Sequence, residues 1–129
     1  MNVVINLTQH TATPDQTGVV DLRGDELFAL RDALTFDALP TAEEIHRRAE
    51  YIADLAVHNG LGEEDDPFPD AAMIGGAPYL MAPLTDALRA RGITPLFAFT
   101  AREVEEQPQP DGSVRKVAVF RHRGWIEAL

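Results

Sequence analysis

Three polar segments carry the residue types that could do chemistry. The first is Asn6-Leu7-Thr8-Gln9-His10-Thr11, with Gln16 close behind. It offers hydroxyls, amides and an imidazole that can give or take a proton near neutral pH. The second is Gly75-Gly76-Ala77-Pro78. Two glycines let another molecule approach bare backbone. A helix starting just beyond them offers unpaired N–H groups and a positive dipole end to an anion. The third is Thr100-Ala101-Arg102, whose guanidinium matches phosphate geometry with a fork of donors. Together Thr8, Gln9, His10, Thr11, Gly75, Gly76, Thr100 and Arg102 suit a phosphate-rich ligand.

Each feature also has a plainer reading. A glycine pair after a strand serves equally as a tight strand-to-helix turn. Thr8 and Thr11 can cap the turn that follows them, and His10 can be a structural hydrogen-bonder. Arg102 can pair with Glu103 or Glu105 on a hairpin surface. The other histidines read more simply still. His46 and His58 belong to one helix as surface or end-capping groups, and His122 sits in a basic stretch between Arg121 and Arg123. Four scattered histidines lack the spacing of zinc ligands. Glu63-Glu64-Asp65-Asp66 lacks the spaced ligands and glycine of a calcium loop. The chain has no cysteine, hence no disulfide and no thiolate site. No Walker loop, GxSxG elbow or GxGxxG motif occurs. No metal and no cofactor is expected.

The elements that must position these segments follow from local pattern. Val3, Val4 and Ile5 read as a first strand ending in the polar loop that begins at Asn6. Val19 to Leu22 reads as a short extended piece, and Asp25 to Leu34 as a short helix with Leu27, Leu30 and Leu34 at helical spacing. Thr41 and Glu44 form a capping box for a longer helix. Its apolar stripe is Ile45, Ala49, Ile52, Ala53 and Ala56, and Asn59-Gly60 is its stop. An exposed acidic loop, Leu61 to Asp70, leads to a strand at Ala71 to Ile74. A helix beginning near Pro78, with Pro83 inside it, ends at Gly92. Thr94 to Thr100 is a strand that continues, more exposed, over Glu103 to Gln107. It turns at Gln109-Pro110-Asp111-Gly112-Ser113 and returns through Val114, Val117, Val119 and Phe120. Strands alternating with helices predict one α/β domain over residues 1–129: a mostly parallel sheet flanked by helices, with a C-terminal antiparallel hairpin. If the first, third and fourth strands are parallel neighbours, the three polar segments converge at their carboxyl ends.

Composition narrows the function classes. A chain of 129 residues with 45% hydrophobic and 25% charged residues is long enough for a real core. No apolar run can span a bilayer and no signal-peptide pattern is present, so a cytoplasmic protein without membrane contact is expected. The net charge of −10 argues against broad binding to duplex nucleic acid. It leaves room for a small anion held by a few arginines and backbone N–H groups. The acidic run at Glu63 to Asp66 also suits a protein that docks a basic partner without any small ligand.

Several stretches resemble one family. They are Asn6-Leu7-Thr8-Gln9-His10 with Thr13-Pro14-Asp15-Gln16, and the strand ending in Gly75-Gly76. With them go Phe99-Thr100-Ala101-Arg102-Glu103, the Asp111-Gly112 turn and Phe120-Arg121-His122. The chain is similar in these to the small CRISPR-associated proteins of the CARF-like, ring-nuclease kind, or to a phage or mobile-element relative of them. The acidic loop and the helix before Thr41 depart from that pattern. The resemblance implies a Rossmann-like homodimer that binds a cyclic oligoadenylate across its two-fold axis in antiviral signalling. It further implies metal-free linearisation, in which a ribose 2′-OH attacks the adjacent phosphorus in line. On this chain the Thr8–Thr11 segment would contact the ring, with His10 as the base. Gly75 and Gly76 would cradle phosphate, Arg102 would neutralise developing charge, and Thr100 would contact the ligand. No lysine stands in these segments, which weakens the catalytic version more than simple binding and keeps a non-catalytic sensor or sponge as the alternative.

Overall fold

A computed structural model describes residues 3–58 and 69–129. The acidic run Glu63 to Asp66 and the Asn59-Gly60 helix stop lie outside the described residues. The first strand, β1 (Val4–Leu7), grows from the β-branched pair Val4 and Ile5. It runs two residues further than the pattern predicts. Asn6 is therefore a buried strand residue and not the start of a loop. β2 (Val19–Asp21) is a short edge strand. Then follow α1 (Gly24–Leu34), α2 (Ala42–His58), β3 (Ala71–Ile74), α3 (Pro78–Ala90), β4 (Thr94–Pro108) and β5 (Val114–Glu127).

The sheet has the order β2-β1-β3-β4-β5. β1 runs parallel to both β2 and β3, β3 runs parallel to β4, and β5 returns antiparallel along β4. The domain is thus mixed α/β, with a mostly parallel sheet, flanking helices and a C-terminal hairpin, as the element order predicts. Right-handed connection explains which face is covered. The two connections β2-α1-α2-β3 and β3-α3-β4 advance in one direction across the sheet and so lie on one face. The connection from β1 to β2 runs the other way and lies on the opposite face. Burial agrees. Ile5, Leu7, Ala72 and Ile74, alternate residues of β1 and β3, share a single buried cluster with Leu30 and Leu34 of α1, Ile52 and Ala56 of α2, and Leu80, Leu84 and Leu88 of α3.

Local chemistry sets the helix ends. The Glu44 N–H donates to Thr41 Oγ1 at 3.2 Å, one half of the predicted capping box. The other half is diverted, because the Glu44 carboxylate pairs with Arg48 at 2.6 Å. Arg48 in turn lies over the Phe36 ring, 4.2 Å from its centroid, and donates to the Thr35 carbonyl, tying α2 to the end of α1. Pro78 occupies the first turn of α3, and Pro83 is carried inside the helix at the loss of one backbone bond. Arg91, just past α3, reaches back to Glu50 and Asp54 of α2 at 2.6 and 3.0 Å. The Glu50 carboxylate holds its guanidinium still more firmly charged than usual.

β4 and β5 are far longer than their neighbours. The paired register of β3 with β4 ends at Met73↔Leu96, whereas β5 stays paired with β4 out to Pro108↔Val114. The outer part of the hairpin therefore leaves the sheet as a two-stranded ribbon.

Candidate active site at the β1 and β3 carboxyl ends

The chain leaves β1 towards β2 on one side and leaves β3 towards β4 on the other. β1 and β3 are neighbours, paired up to Leu7↔Ile74. Their carboxyl ends thus flank the point where the strand order reverses, the place where open α/β sheets form a crevice. A cavity of about 530 Å³ opens there. Thr8, Gln9, His10 and Thr11 line it from the first strand end, and Gly75 and Gly76 line it from the second. Thr13 and Gln16 of the crossover border it, while Leu34, Met73 and Phe97 supply apolar surface.

The third predicted segment is elsewhere. Thr100 and Arg102 do not line the cavity. They are not in a loop either: both lie within β4, where Thr100 pairs with His122 and Arg102 with Phe120. The hairpin pairing extends the strand past the point at which a parallel strand would have turned into a crevice loop. Phe97 and Ala98, three and four residues in from the start of β4, take the expected place in the cavity. The salt bridges expected of Arg102 are made by other residues. Arg121 pairs with Glu103 at 3.2 Å and with Glu105, and Arg123 pairs with Glu103. His122 stacks edge-on against Trp125, 4.6 Å between centroids.

The shape of the His10 segment depends on Asn6, which is 3% exposed. Its Nδ2 donates to the His10 carbonyl and to Asp21 Oδ1, each at 2.7 Å. Its Oδ1 accepts the Thr8 N–H at 2.9 Å and the Thr8 hydroxyl at 2.7 Å. Asp21 Oδ1 also accepts the Ala12 N–H at 3.2 Å. One buried amide thus folds residues 8–12 into a compact turn, a role the sequence reading missed. The signal was a polar residue placed to continue a β-branched run. The Thr8 hydroxyl is spent on this turn, as its plainer reading held, and its methyl faces Gly75. The His10 side chain is exposed at the cavity edge, and among the described residues its imidazole makes no hydrogen bond.

The glycines differ in role. Gly76 has φ +143°, a conformation that side-chain-bearing residues rarely adopt. A Cβ on Gly75 would meet the Thr8 Cγ2 at 3.5 Å, an ordinary contact, so Gly75 keeps the cavity open and is not required by the turn. α3 begins directly after Ala77, with no side-chain cap and no acidic residue in its first turn. Its positive end is left facing the cavity edge.

The crossover is fastened at its far side. Asp15 accepts the Thr13 hydroxyl, and its Oδ2 accepts the His122 N–H at 2.8 Å. These two bonds, the hydroxyl's first, hold the Asp15 carboxyl below its ordinary value. The Gln16 side chain accepts the Thr13 N–H at 2.9 Å. The cavity is thereby bounded by a loop tied to both ends of the sheet.

Among the described residues, the lining contains no Lys, Arg, Asp or Glu. It can offer backbone N–H groups, hydroxyls, amides and one imidazole over an apolar floor. Among the described residues, no group of three His, Asp or Glu side chains could hold a metal ion. No helix among them is long and apolar enough to cross a membrane. No curated protein and no solved structure matches the chain. A family model does match, over residues 2–126. On that match, the chain belongs to the Uncharacterized protein MJ1673 family.

Proposed function

We propose that this chain is a Rossmann-like nucleotide-binding protein whose ligand, a cyclic oligoadenylate, enters the cavity between β1 and β3. The observation that carries the reading is the meeting of His10, Thr8 and Gly75-Gly76 around one cavity at the reversal of strand order. A volume of about 530 Å³ lies within the ~300–1,000 Å³ of small-molecule sites. Such a space takes one nucleotide unit, and a ring of several must be shared between two copies. The hairpin ribbon supports a homodimer. Val104 and Phe120 stand 66% and 70% exposed on one of its faces, and a two-stranded ribbon is marginal alone in water.

Linearisation would proceed by attack of a ribose 2′-OH on the adjacent phosphorus. The P–O5′ bond breaks, a 2′,3′-cyclic phosphate forms, and the 2′-OH proton passes to His10. The leaving oxygen is protonated by solvent. Alignment supplies much of the acceleration, and a base adds ~10²–10⁴-fold. One observation favours a second reading, a non-catalytic sensor or sponge. With no Lys or Arg among the described residues of the lining, only neutral donors and one imidazole meet the charge that grows on the phosphoryl oxygens.

A thermal-shift series with cyclic oligoadenylates tests binding. At a hundred times Kd the ligand adds about 2.7 kcal/mol of stability, a rise of several degrees. No rise with any ring refutes the proposal. Chromatography of the products separates enzyme from sensor. His10→Ala is expected to abolish cleavage with affinity kept within about tenfold, ~1.4 kcal/mol. Unchanged turnover removes His10 as the base, and no turnover in either protein selects the sensor.

A further inference from the structure

A second cavity of about 390 Å³ lies on the other side of the His10 segment. His10 and Thr11 line both cavities, so a thin wall of loop separates them. The two differ in charge. The first is neutral. The second is lined by Arg23, the extended N-cap residue of α1, and by Leu27 and Arg31, one turn apart within that helix. Neither arginine has a salt-bridge partner among the described residues, a condition they share with Arg47, Arg102 and Arg115, but these two line one cavity. Among the described residues one acid lines this cavity, Asp21, whose Oδ1 accepts from the Asn6 amide and the Ala12 N–H. Asp25 and Glu26 belong to the first turn of α1 but do not line the cavity.

We propose that the Arg23–Arg31 cavity is an anion subsite that takes the phosphate of a nucleotide whose base and ribose occupy the neutral cavity. The inference rests on the nucleotide reading above and names what that reading lacks, the cations. Arg23 and Arg31 supply forked donors suited to phosphoryl oxygens. The neutral cavity supplies the apolar floor of Leu34, Met73 and Phe97, fit for a base. The chain's charge of −10 does not prevent this. At physiological salt, exposed charges beyond about 8 Å are largely screened, so the local balance is that of two guanidinium groups against the single Asp21 carboxylate. His10 lines both cavities and so stands where a ligand occupying both would be shared between them.

The test compares three probes by titration calorimetry on the full chain: adenosine, AMP and inorganic pyrophosphate. Each is run against wild type, Arg23→Gln, Arg31→Gln and the double variant. Arg23 and Arg31 are exposed, and equal melting temperatures establish that the variants fold. AMP is expected to bind at least tenfold more tightly than adenosine. Each substitution should cost AMP about tenfold and leave adenosine unchanged, and the AMP advantage should fall as salt rises. Equal binding of AMP and adenosine to wild type overturns the subsite while the nucleotide reading stands. If neither nucleoside form binds but pyrophosphate does, and the double variant loses it, the anion site holds and the nucleotide reading fails. No pyrophosphate binding together with unaltered AMP binding in the double variant also overturns the subsite.

Discussion

Replacing Asn6 tests the account of the site at its most loaded residue. The buried amide makes four hydrogen bonds, one of them to the Asp21 carboxylate. A neutral bond contributes about 1 kcal/mol net and one to a charged group about 1.5–3. Asn6→Ala leaves those partners facing a small void. Water reaches the exposed His10 side of the turn and recovers part of the loss. The expected destabilisation is about 2–4 kcal/mol, a large share of a total of ~5–15. Urea unfolding measures it, with an unchanged m-value confirming the same unfolding reaction. Asn6→Asp sharpens the test at constant shape. It sets an acceptor opposite Asp21 Oδ1, where the amide donor stands at 2.7 Å. Two carboxylates that close cannot both be charged, so the folded-state pKa of the pair is raised above the unfolded ~3.9. A raised folded pKa gives stability that is full below the unfolded value and is lost as pH rises through the folded one. The deficit of Asn6→Asp against wild type should therefore be largest at pH 7 and shrink towards pH 4. A deficit below about 1 kcal/mol in Asn6→Ala, or one independent of pH in Asn6→Asp, refutes the reasoning.

Three further outcomes follow from the geometry. Gly76→Ala should destabilise by about 1–3 kcal/mol because φ +143° excludes a Cβ, whereas Gly75→Ala should leave urea stability nearly unchanged and reduce ligand affinity by narrowing the cavity. Asp15→Asn should remove part of the acid sensitivity of the fold. The folded carboxyl lies below its ordinary 3.8, so its stabilisation is present above that value and disappears as pH falls through the lowered folded pKa. A pH series of melting temperatures that falls equally in both proteins would contradict this. Arg102→Ala should leave binding of any ligand in the β1–β3 cavity within about twofold, ~0.4 kcal/mol. A tenfold loss by calorimetry would mean that the hairpin of a second copy completes the site.

Local pattern determines a good deal about this chain. The stripe of Ile45, Ala49, Ile52, Ala53 and Ala56 specifies α2, because 3.6-residue spacing needs no distant partner to be recognised, and those last four residues are buried. The Asp111-Gly112 turn specifies the hairpin for the same reason, with Gly112 at φ +85°. Gly75-Gly76 and the Thr8–Thr11 segment were visible as polar strand ends, and strand adjacency brings them together. Tertiary pairing settled the rest. How far β4 continues depends on hydrogen bonds from β5, up to Pro108↔Val114, and that length carries Thr100 and Arg102 out of the crevice. Asn6 meets Asp21 only because β2 lies beside β1 in register, Asn6↔Asp21, after an eleven-residue crossover with no helix of its own. Periodicity records which face a residue shows to its own element. Which strand lies next to it, and which charges that neighbour brings, is a property of the closed sheet.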